Sequence, residues 1–327
     1  MTERVLVTGG AGFVGSHLCR RLLEQGAEVI SLDNFLTGRR SNVEPLVEDP
    51  RFRLLEHDLR RPVPLEEPIS AILHLASPAS PAAYLANPIA TLEVGSLGTL
   101  HALELAARAG ADFLLASTSE VYGDPEVSPQ PESYRGNVSS TGPRSVYDES
   151  KRFAEAATMA FHRARGLRTR IARIFNCYGP GMAAGDGRAI PEFVRRALDG
   201  EPVVVFGDGS QTRSFCYVED LVDGLLALLR SDERDPVNLG NPDERTLLEV
   251  ARLVVRLCES DSPIRFAALP EDDPRSRRPD ITRARTILGW EPRTGLEEGL
   301  ARTISWFREE RRSSPAFADR PEGNDGS

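Results

Sequence analysis

The sequence predicts an α/β protein: a doubly wound parallel sheet with helices on both faces, followed by a smaller C-terminal lobe. Three observations predict it. Short, almost wholly apolar segments alternate with longer amphipathic ones through the first half of the chain. Alternation of that kind argues for a parallel sheet covered on both faces, whose strands need no polar side. A glycine-rich turn lies between the first apolar segment and the first amphipathic one. After about residue 176, Pro and Gly interrupt the alternation, as in Gly179-Pro180-Gly181, Gly185, Gly187, Pro191 and Gly200.

In chain order, segments 4–8, 28–32, 52–56, 71–75, 113–117 and 169–174 read as strands, with Val5-Leu6-Val7 and Ala71-Ile72-Leu73 the most apolar. Segments 14–25, 91–110 and 146–165 read as helices. Further on, 203–206 reads as a strand and 218–229, 247–258 and 296–308 as helices. The expected division is a first domain over 1–175, with 215–240 returning to its sheet, and a substrate lobe from 176–214 and 241–310. The polar segment 311–327 is expected to be a disordered tail.

Composition excludes several classes. A net charge of −9 argues against general nucleic-acid binding, which depends on neutralising phosphates. The four cysteines have no paired spacing, so they read as reduced core thiols and not as a zinc site or disulfide frame. No apolar run reaches the ~20 residues of a membrane span, and no secretory leader precedes the first strand. A cytoplasmic protein without metal is expected. Of 40 Lys plus Arg residues, one is lysine: Lys151.

The glycine turn is Thr8-Gly9-Gly10-Ala11-Gly12-Phe13-Val14-Gly15. Between a strand and a helix, such glycines let backbone N–H groups approach a pyrophosphate at the helix N-terminus. Gly9, Gly12, Phe13, Val14 and Gly15 are therefore candidate dinucleotide-binding residues on a Rossmann-type fold. Asp33 closes the second strand, where a carboxylate accepts adenosine ribose hydroxyls and repels a 2′-phosphate. NAD is thus expected over NADP, with Arg39 and Arg40 close enough to weaken the preference. Asp58, followed by Leu59, is a candidate for the adenine, with turn capping as its alternative.

Tyr147 and Lys151 lie four apart, on one face of a predicted helix. A neighbouring ammonium stabilises a phenolate, so Lys151 is expected to lower the Tyr147 pKa and make it a base for a hydroxyl proton. In an arginine-rich chain, the single lysine at this position suggests a role that a guanidinium cannot fill, a compact point charge that reaches a cofactor ribose as well as the phenol, so Tyr147 and Lys151 are also candidate cofactor-binding residues. Thr118, at the carboxyl end of the fifth strand, is expected to hold the reacting oxygen beside Tyr147. Glu120 is an unusual carboxylate at such a place.

These motifs together resemble the extended short-chain dehydrogenase/reductase superfamily. Within it, the segments 74–81, 117–125, 172–176, 207–213 and 272–280 resemble the UDP-glucuronate decarboxylases, also called UDP-xylose synthases. The resemblance spans about residues 3–310. It implies a cycle in which Tyr147 deprotonates the sugar 4-hydroxyl as hydride leaves C4. The 4-keto sugar then loses CO₂ and is reduced again, so NAD is recycled. It places Thr118, Ser119, Glu120 and Arg277 with Tyr147 and Lys151 in the catalytic set. It adds Asn34, Leu75 and Ala76 to the cofactor site. For a UDP-sugar it implies Pro81, Tyr84, Asn176 and Arg213, with Arg277 at the glucuronate carboxylate and Ile190, Phe193 and Phe206 near the uracil, core packing being the alternative for these three. One departure is Gly95, where the superfamily usually has Asn; a looser helix is expected there.

Two other readings remain. A 4,6-dehydratase of the same fold generally pairs Asp with Glu where this chain has Ser119-Glu120, and a 4-epimerase does not need the carboxylate. A catalytically dead NAD-binding sensor typically loses the Tyr or the Lys, and both are present. A homodimer is expected, because Leu100, Leu103, Ala107, Phe153, Ala157, Ala160 and Phe161 exceed what one sheet face needs.

Overall fold

The computed structural model describes residues 3–268 and 276–313. Its centre is a seven-stranded, all-parallel sheet. Six strands come from the first half: β1 Arg4–Thr8, β2 Glu28–Asp33, β3 Phe52–Glu56, β4 Ala71–His74, β5 Asp112–Thr118 and β6 Thr169–Ile174. The seventh, Val237–Leu239, pairs with β6. The order β3-β2-β1-β4-β5-β6, extended by that strand, reverses direction between β1 and β4. Ligands of open α/β sheets bind at such a reversal, beyond the carboxyl ends of the strands.

Successive β1 side chains serve opposite faces. Val5 and Val7 join the core that includes Leu18 and Leu22 of the helix Phe13–Glu24. Leu6 joins a second core with Ile72, Leu103 and Phe113. Burial on both faces explains why the strand carries no polar alternation.

Three expectations need correction. The predicted helix 91–110 is two shorter helices, Pro88–Glu93 and Thr99–Ala109, joined by the π turn Val94–Gly98. The segment after residue 176 contains an unforeseen helix, Ala189–Asp199. Pro191 sits in its first turn, where a missing N–H costs nothing. The last helix runs Leu296–Ser313, so the tail expected from 311 begins in helix; Arg311 pairs with Asp199 at 2.6 Å. Residues 314–327 lie outside the described residues.

The C-terminal lobe brings distant arginines together. Thr212–Ser214 is the middle strand of a small sheet, antiparallel to Glu244–Thr246 and parallel to Ser276–Arg277. Arg213 and Arg277 are register partners on its parallel edge. The Gln130 backbone bonds to Arg278 and Asp280, and its side chain accepts from the Arg278 N–H at 2.8 Å, fixing the segment just after Arg277.

Candidate active site

A cavity of about 780 Å³ opens at the sheet's reversal point. It is lined by every cofactor, catalytic and substrate residue singled out in the sequence: Gly9, Gly12, Phe13, Val14, Gly15, Asp33, Asn34, Asp58, Leu59, Leu75 and Ala76 at one end, and Thr118, Ser119, Glu120, Tyr147, Lys151, Pro81, Tyr84, Asn176, Ile190, Phe193, Phe206, Arg213 and Arg277 beyond. Ile190 and Phe193 are buried on the helix Ala189–Asp199, whereas Phe206 is exposed at a strand end.

The glycine loop fits a dinucleotide. Gly9 has φ +72°, and a Cβ there would stand 2.9 Å from the Ala76 backbone. A Cβ on Gly15 would overlap the Gly9 carbonyl. The turn therefore packs as glycine alone allows, leaving the helix N-terminus free for an anion. Asp33 ties the loop to β2, accepting from the Ala11 N–H at 3.0 Å and the Phe35 N–H at 2.9 Å. Burial raises its carboxyl, and those backbone donors partly offset the rise.

Asp58 accepts from the backbone N–H of Arg60 at 3.0 Å and pairs with the Arg60 guanidinium at 2.6 Å, capping its own turn. Arg39 lines the cavity with its guanidinium already engaged: it pairs with Glu310 at 2.7 Å and donates to the Gly181 carbonyl at 3.0 Å. Arg40 pairs with Glu56.

Tyr147 and Lys151 are both buried in the first turns of the helix Ser145–Arg165. Tyr147 stacks on Tyr84, with ring centroids 5.2 Å apart and 6° between planes. The structure corrects the expected pKa effect. Burial, then the Glu120 charge, raises the Tyr147 phenol, and a hydrogen bond with Thr118 only partly opposes this. Lys151 Nζ donates to the Ala116 carbonyl at 2.9 Å and lies 5.8 Å from the Tyr147 ring centre. Burial lowers Lys151 to about 8. One of the three ammonium hydrogens is thus committed to a backbone carbonyl, and the group is itself easily neutralised.

Glu120 follows Thr118, whose hydroxyl caps the turn Ser119–Tyr122 by accepting from the Glu120 N–H at 3.2 Å. Its carboxylate is gripped by both terminal nitrogens of Arg277 and by Arg144 at 2.8 Å. Burial alone would raise Glu120, but Arg277 and then Arg144 outweigh it and hold the carboxyl at about 2. The cluster carries one net positive charge. Buried polar groups normally find partners, yet Arg277 Nε, Asn176 Nδ2 and the Tyr84 hydroxyl have none and belong to residues lining the cavity.

Three participants were missed in the sequence. Arg144 lies one turn before Tyr147, but nothing in Gly142-Pro143-Arg144 distinguishes it from the chain's many other arginines. Arg188 lines the cavity and pairs with Asp186 at 2.6 Å. Asp148 is buried with one oxygen unpartnered, and burial, then the Glu120 charge, raises it to about 7. A fold that crosses the sheet reversal with a glycine cradle, a buried Tyr–Lys pair and an arginine-clamped carboxylate defines an NAD-dependent enzyme acting on anionic sugar derivatives.

The comparisons narrow the class. A sequence model of the NAD dependent epimerase/dehydratase family matches residues 5–240, and the chain belongs to that family. It is 52% identical to UDP-glucuronic acid decarboxylase 1 of Xenopus tropicalis and 53% identical to that of Danio rerio. Each match spans 94% of this chain and 73% of the relative. A third relative, UDP-glucuronic acid decarboxylase 1 of Arabidopsis thaliana, is 52% identical over 93% of this chain and 70% of its own. Among solved structures, a dTDP-glucose 4,6-dehydratase from Streptomyces venezuelae with NAD bound superposes with TM-score 0.88. It is 31% identical and covers 96% of this chain and 99% of that one. A UDP-glucose 4-epimerase from Thermotoga maritima with UDP-glucose gives TM-score 0.86 at 30% identity, covering 94% and 99%.

Proposed function

We propose that this protein converts UDP-glucuronate to UDP-xylose and CO₂ through a UDP-4-keto intermediate, with NAD recycled in each turnover. The observation that carries the reading is the Arg277–Glu120–Arg144 cluster beside Tyr147. Its single net positive charge complements one carboxylate, and Arg277 keeps an unpartnered buried Nε. The decarboxylase relatives support the same substrate.

Bound NAD⁺ would supply the hydride acceptor for C4 and, in its reduced form, the hydride that restores it. The loop Gly9–Gly15 and the helix N-terminus would hold its pyrophosphate, with Asp33 and Asn34 at the ribose end and Leu59, Leu75 and Ala76 along the wall. Asp58 caps its turn at the adenine end. Thr118 and Tyr147 hold the sugar 4-hydroxyl, and Tyr147 removes its proton. Taking that proton requires the phenolate, which burial disfavours, so the positive charge of Lys151 is what must favour it in the bound state.

Arg277 engages the sugar carboxylate and orients it across the ring. Once C4 is a ketone, that carboxylate is β to it and leaves as CO₂, its bond electrons delocalising into the carbonyl. Glu120, relieved of one arginine, stands beside the departing group, and Ser119 or a water that Glu120 positions delivers the proton to C5. Tyr147 then returns its proton to the 4-oxygen. Arg213 and Asn176 offer donors to the diphosphate, with Pro81 and Tyr84 shaping the sugar end. Ile190, Phe193 and Phe206 form the apolar wall for the uracil.

The test supplies purified protein with UDP-glucuronate and follows CO₂ and NADH together. Many equivalents of CO₂ per enzyme without accumulating NADH support the reading. One NADH per substrate consumed overturns it. No observation favours the epimerase or sensor alternatives for this site.

The proposal includes a homodimer acting in the cytoplasm. Leu103 is fully buried against the sheet and cannot contribute to an interface, contrary to expectation. Ile89 (66% exposed), Leu92, Leu97 and Phe153 supply the exposed apolar face instead, on the helices flanking the site. A second copy of this face is the occupant proposed. The four cysteines are buried free thiols, which fits a reducing compartment. Among the described residues, no helix is long and apolar enough to cross a membrane.

A further inference from the structure

The helix that carries Tyr147 and Lys151 rests on an unusual neighbour. Gly95 lies in the π turn Val94–Gly98. Such turns interrupt a helix at some cost and often mark functional positions. This one faces Ser150, which sits between Tyr147 and Lys151. A Cβ on Gly95 would overlap the Ser150 Cβ and stand 2.8 Å from its Oγ. The two backbones therefore approach until one side chain fills the space between them. Gly95 is not a loose point in the helix, as its departure from Asn had suggested, but the tightest one.

Both sides of the contact lead to the site. Ser150 is buried and its Oγ donates to the Tyr147 carbonyl at 2.8 Å. The Gly95 carbonyl accepts from Thr99 Oγ1 at 2.8 Å, and Thr99 Oγ1 lies 3.1 Å from His74 Nε2. His74 Nδ1 lies 2.8 Å from Thr8 Oγ1, which accepts from the Ala76 N–H at 3.3 Å. Ala76 lines the cofactor end of the cavity. Burial, then the Lys151 charge, pushes His74 down to about 3, so the ring stays neutral and the chain of bonds keeps one charge state.

We propose that the Gly95–Ser150 contact is a positioning device that sets how deeply Tyr147 and Lys151 sit over the cofactor crevice, in a space that admits one hydroxymethyl group. A methyl added at Gly95 has to push the two helices apart. Packed interiors transmit such shifts without absorbing them. The inference rests on Tyr147 and Lys151 being the catalytic pair of the proposed function.

The experiment compares Gly95→Ala, Ser150→Gly, the double variant and Tyr147→Phe. For each, kcat and KM for UDP-glucuronate, bound NAD and melting temperature are measured. Gly95→Ala should fold at the assay temperature and keep its NAD. Its kcat should fall at least about tenfold with KM little changed, since misplacement by about 1 Å costs up to about a hundredfold. Adding Ser150→Gly should restore kcat to within about threefold of the parent, by the same reasoning. If Gly95→Ala does not fold, Ser150→Thr adds a methyl to the other side of the same contact and is read in the same way. Unchanged kcat, a loss that only follows the folded or NAD-bound fraction, or no rescue by Ser150→Gly would each overturn the inference. A dead Tyr147→Phe beside an unaffected Gly95→Ala overturns this inference alone. A Tyr147→Phe with normal turnover overturns the catalytic assignment beneath it.

Discussion

Removing Arg277 tests charge and orientation at once. In the resting enzyme Arg277 and Arg144 share one carboxylate, Glu120, and Arg277 is the more deeply buried of the two. Arg277→Ala leaves Glu120 with Arg144 alone, at 2.8 Å. Breaking a buried pair from one side costs ~3–5 kcal/mol, and the surviving pair keeps the stability loss near the lower end. In turnover the variant also loses a charge-assisted, two-pronged bond to the substrate carboxylate, about 1.5–3 kcal/mol. At about 1.4 kcal/mol per decade that is roughly ten- to a hundredfold. Without Arg277, Glu120 and Arg144 sum to zero charge, so the site no longer attracts the substrate carboxylate and the loss moves toward the upper figure. The assay measures labelled CO₂ from carboxyl-labelled UDP-glucuronate at a temperature below the variant's melting point, with bound NAD determined on the same sample. The account expects CO₂ release to fall about a hundredfold per folded, NAD-bearing molecule. A variant that melts earlier and loses NAD, yet decarboxylates normally per folded molecule, would show that Arg277 and Glu120 form only a structural pair.

Other consequences follow from the same geometry. Tyr147→Phe should lower turnover by about a hundredfold or more with bound NAD unchanged, as read by single-turnover NADH absorbance; near-normal turnover would remove Tyr147 as the base. Asp148 is raised to about 7 in the fold, above the ~3.9 of an unfolded chain, so it binds a proton more tightly when folded. Its stabilising effect is complete below about pH 4 and is lost as pH rises through 7. Asp148→Asn should therefore gain melting temperature relative to the parent between pH 5 and pH 8, and a constant difference across that range contradicts the assignment. Phe153→Glu should convert a dimeric mass to a monomeric one in light scattering, because Phe153 is 42% exposed on the proposed interface face; a monomeric parent protein would dispose of the dimer.

Much of the framework could be read from local signals. Val5-Leu6-Val7 announces a strand buried on both faces, and the spacing of Gly9, Gly12 and Gly15 announces the cradle, because both depend on neighbours within a few residues. The clamp on Glu120 depends on longer-range placement. Arg277 reaches it through a two-residue strand whose register is set by Thr212–Ser214 and by Gln130, more than a hundred residues away. Arg144 carries no mark that separates it from the other arginines. The Tyr147 pKa was misjudged because sequence spacing shows that Lys151 is near, but not that the phenol is buried beside the Glu120 charge. Likewise, Gly95 suggested looseness until Ser150 was seen to fill the missing side chain's space.

The most direct test of the central claim is the product formed from UDP-glucuronate in D₂O, followed by proton NMR. The proposed cycle takes hydride from C4 and returns it to C4, while C5 acquires its new hydrogen from the solvent-exchangeable pool. The account predicts UDP-xylose with one deuterium beside the retained protium at C5, and protium at C4. A UDP-sugar that keeps its carboxylate and is inverted at C4, or UDP-xylose with two protia and no deuterium at C5, would contradict it.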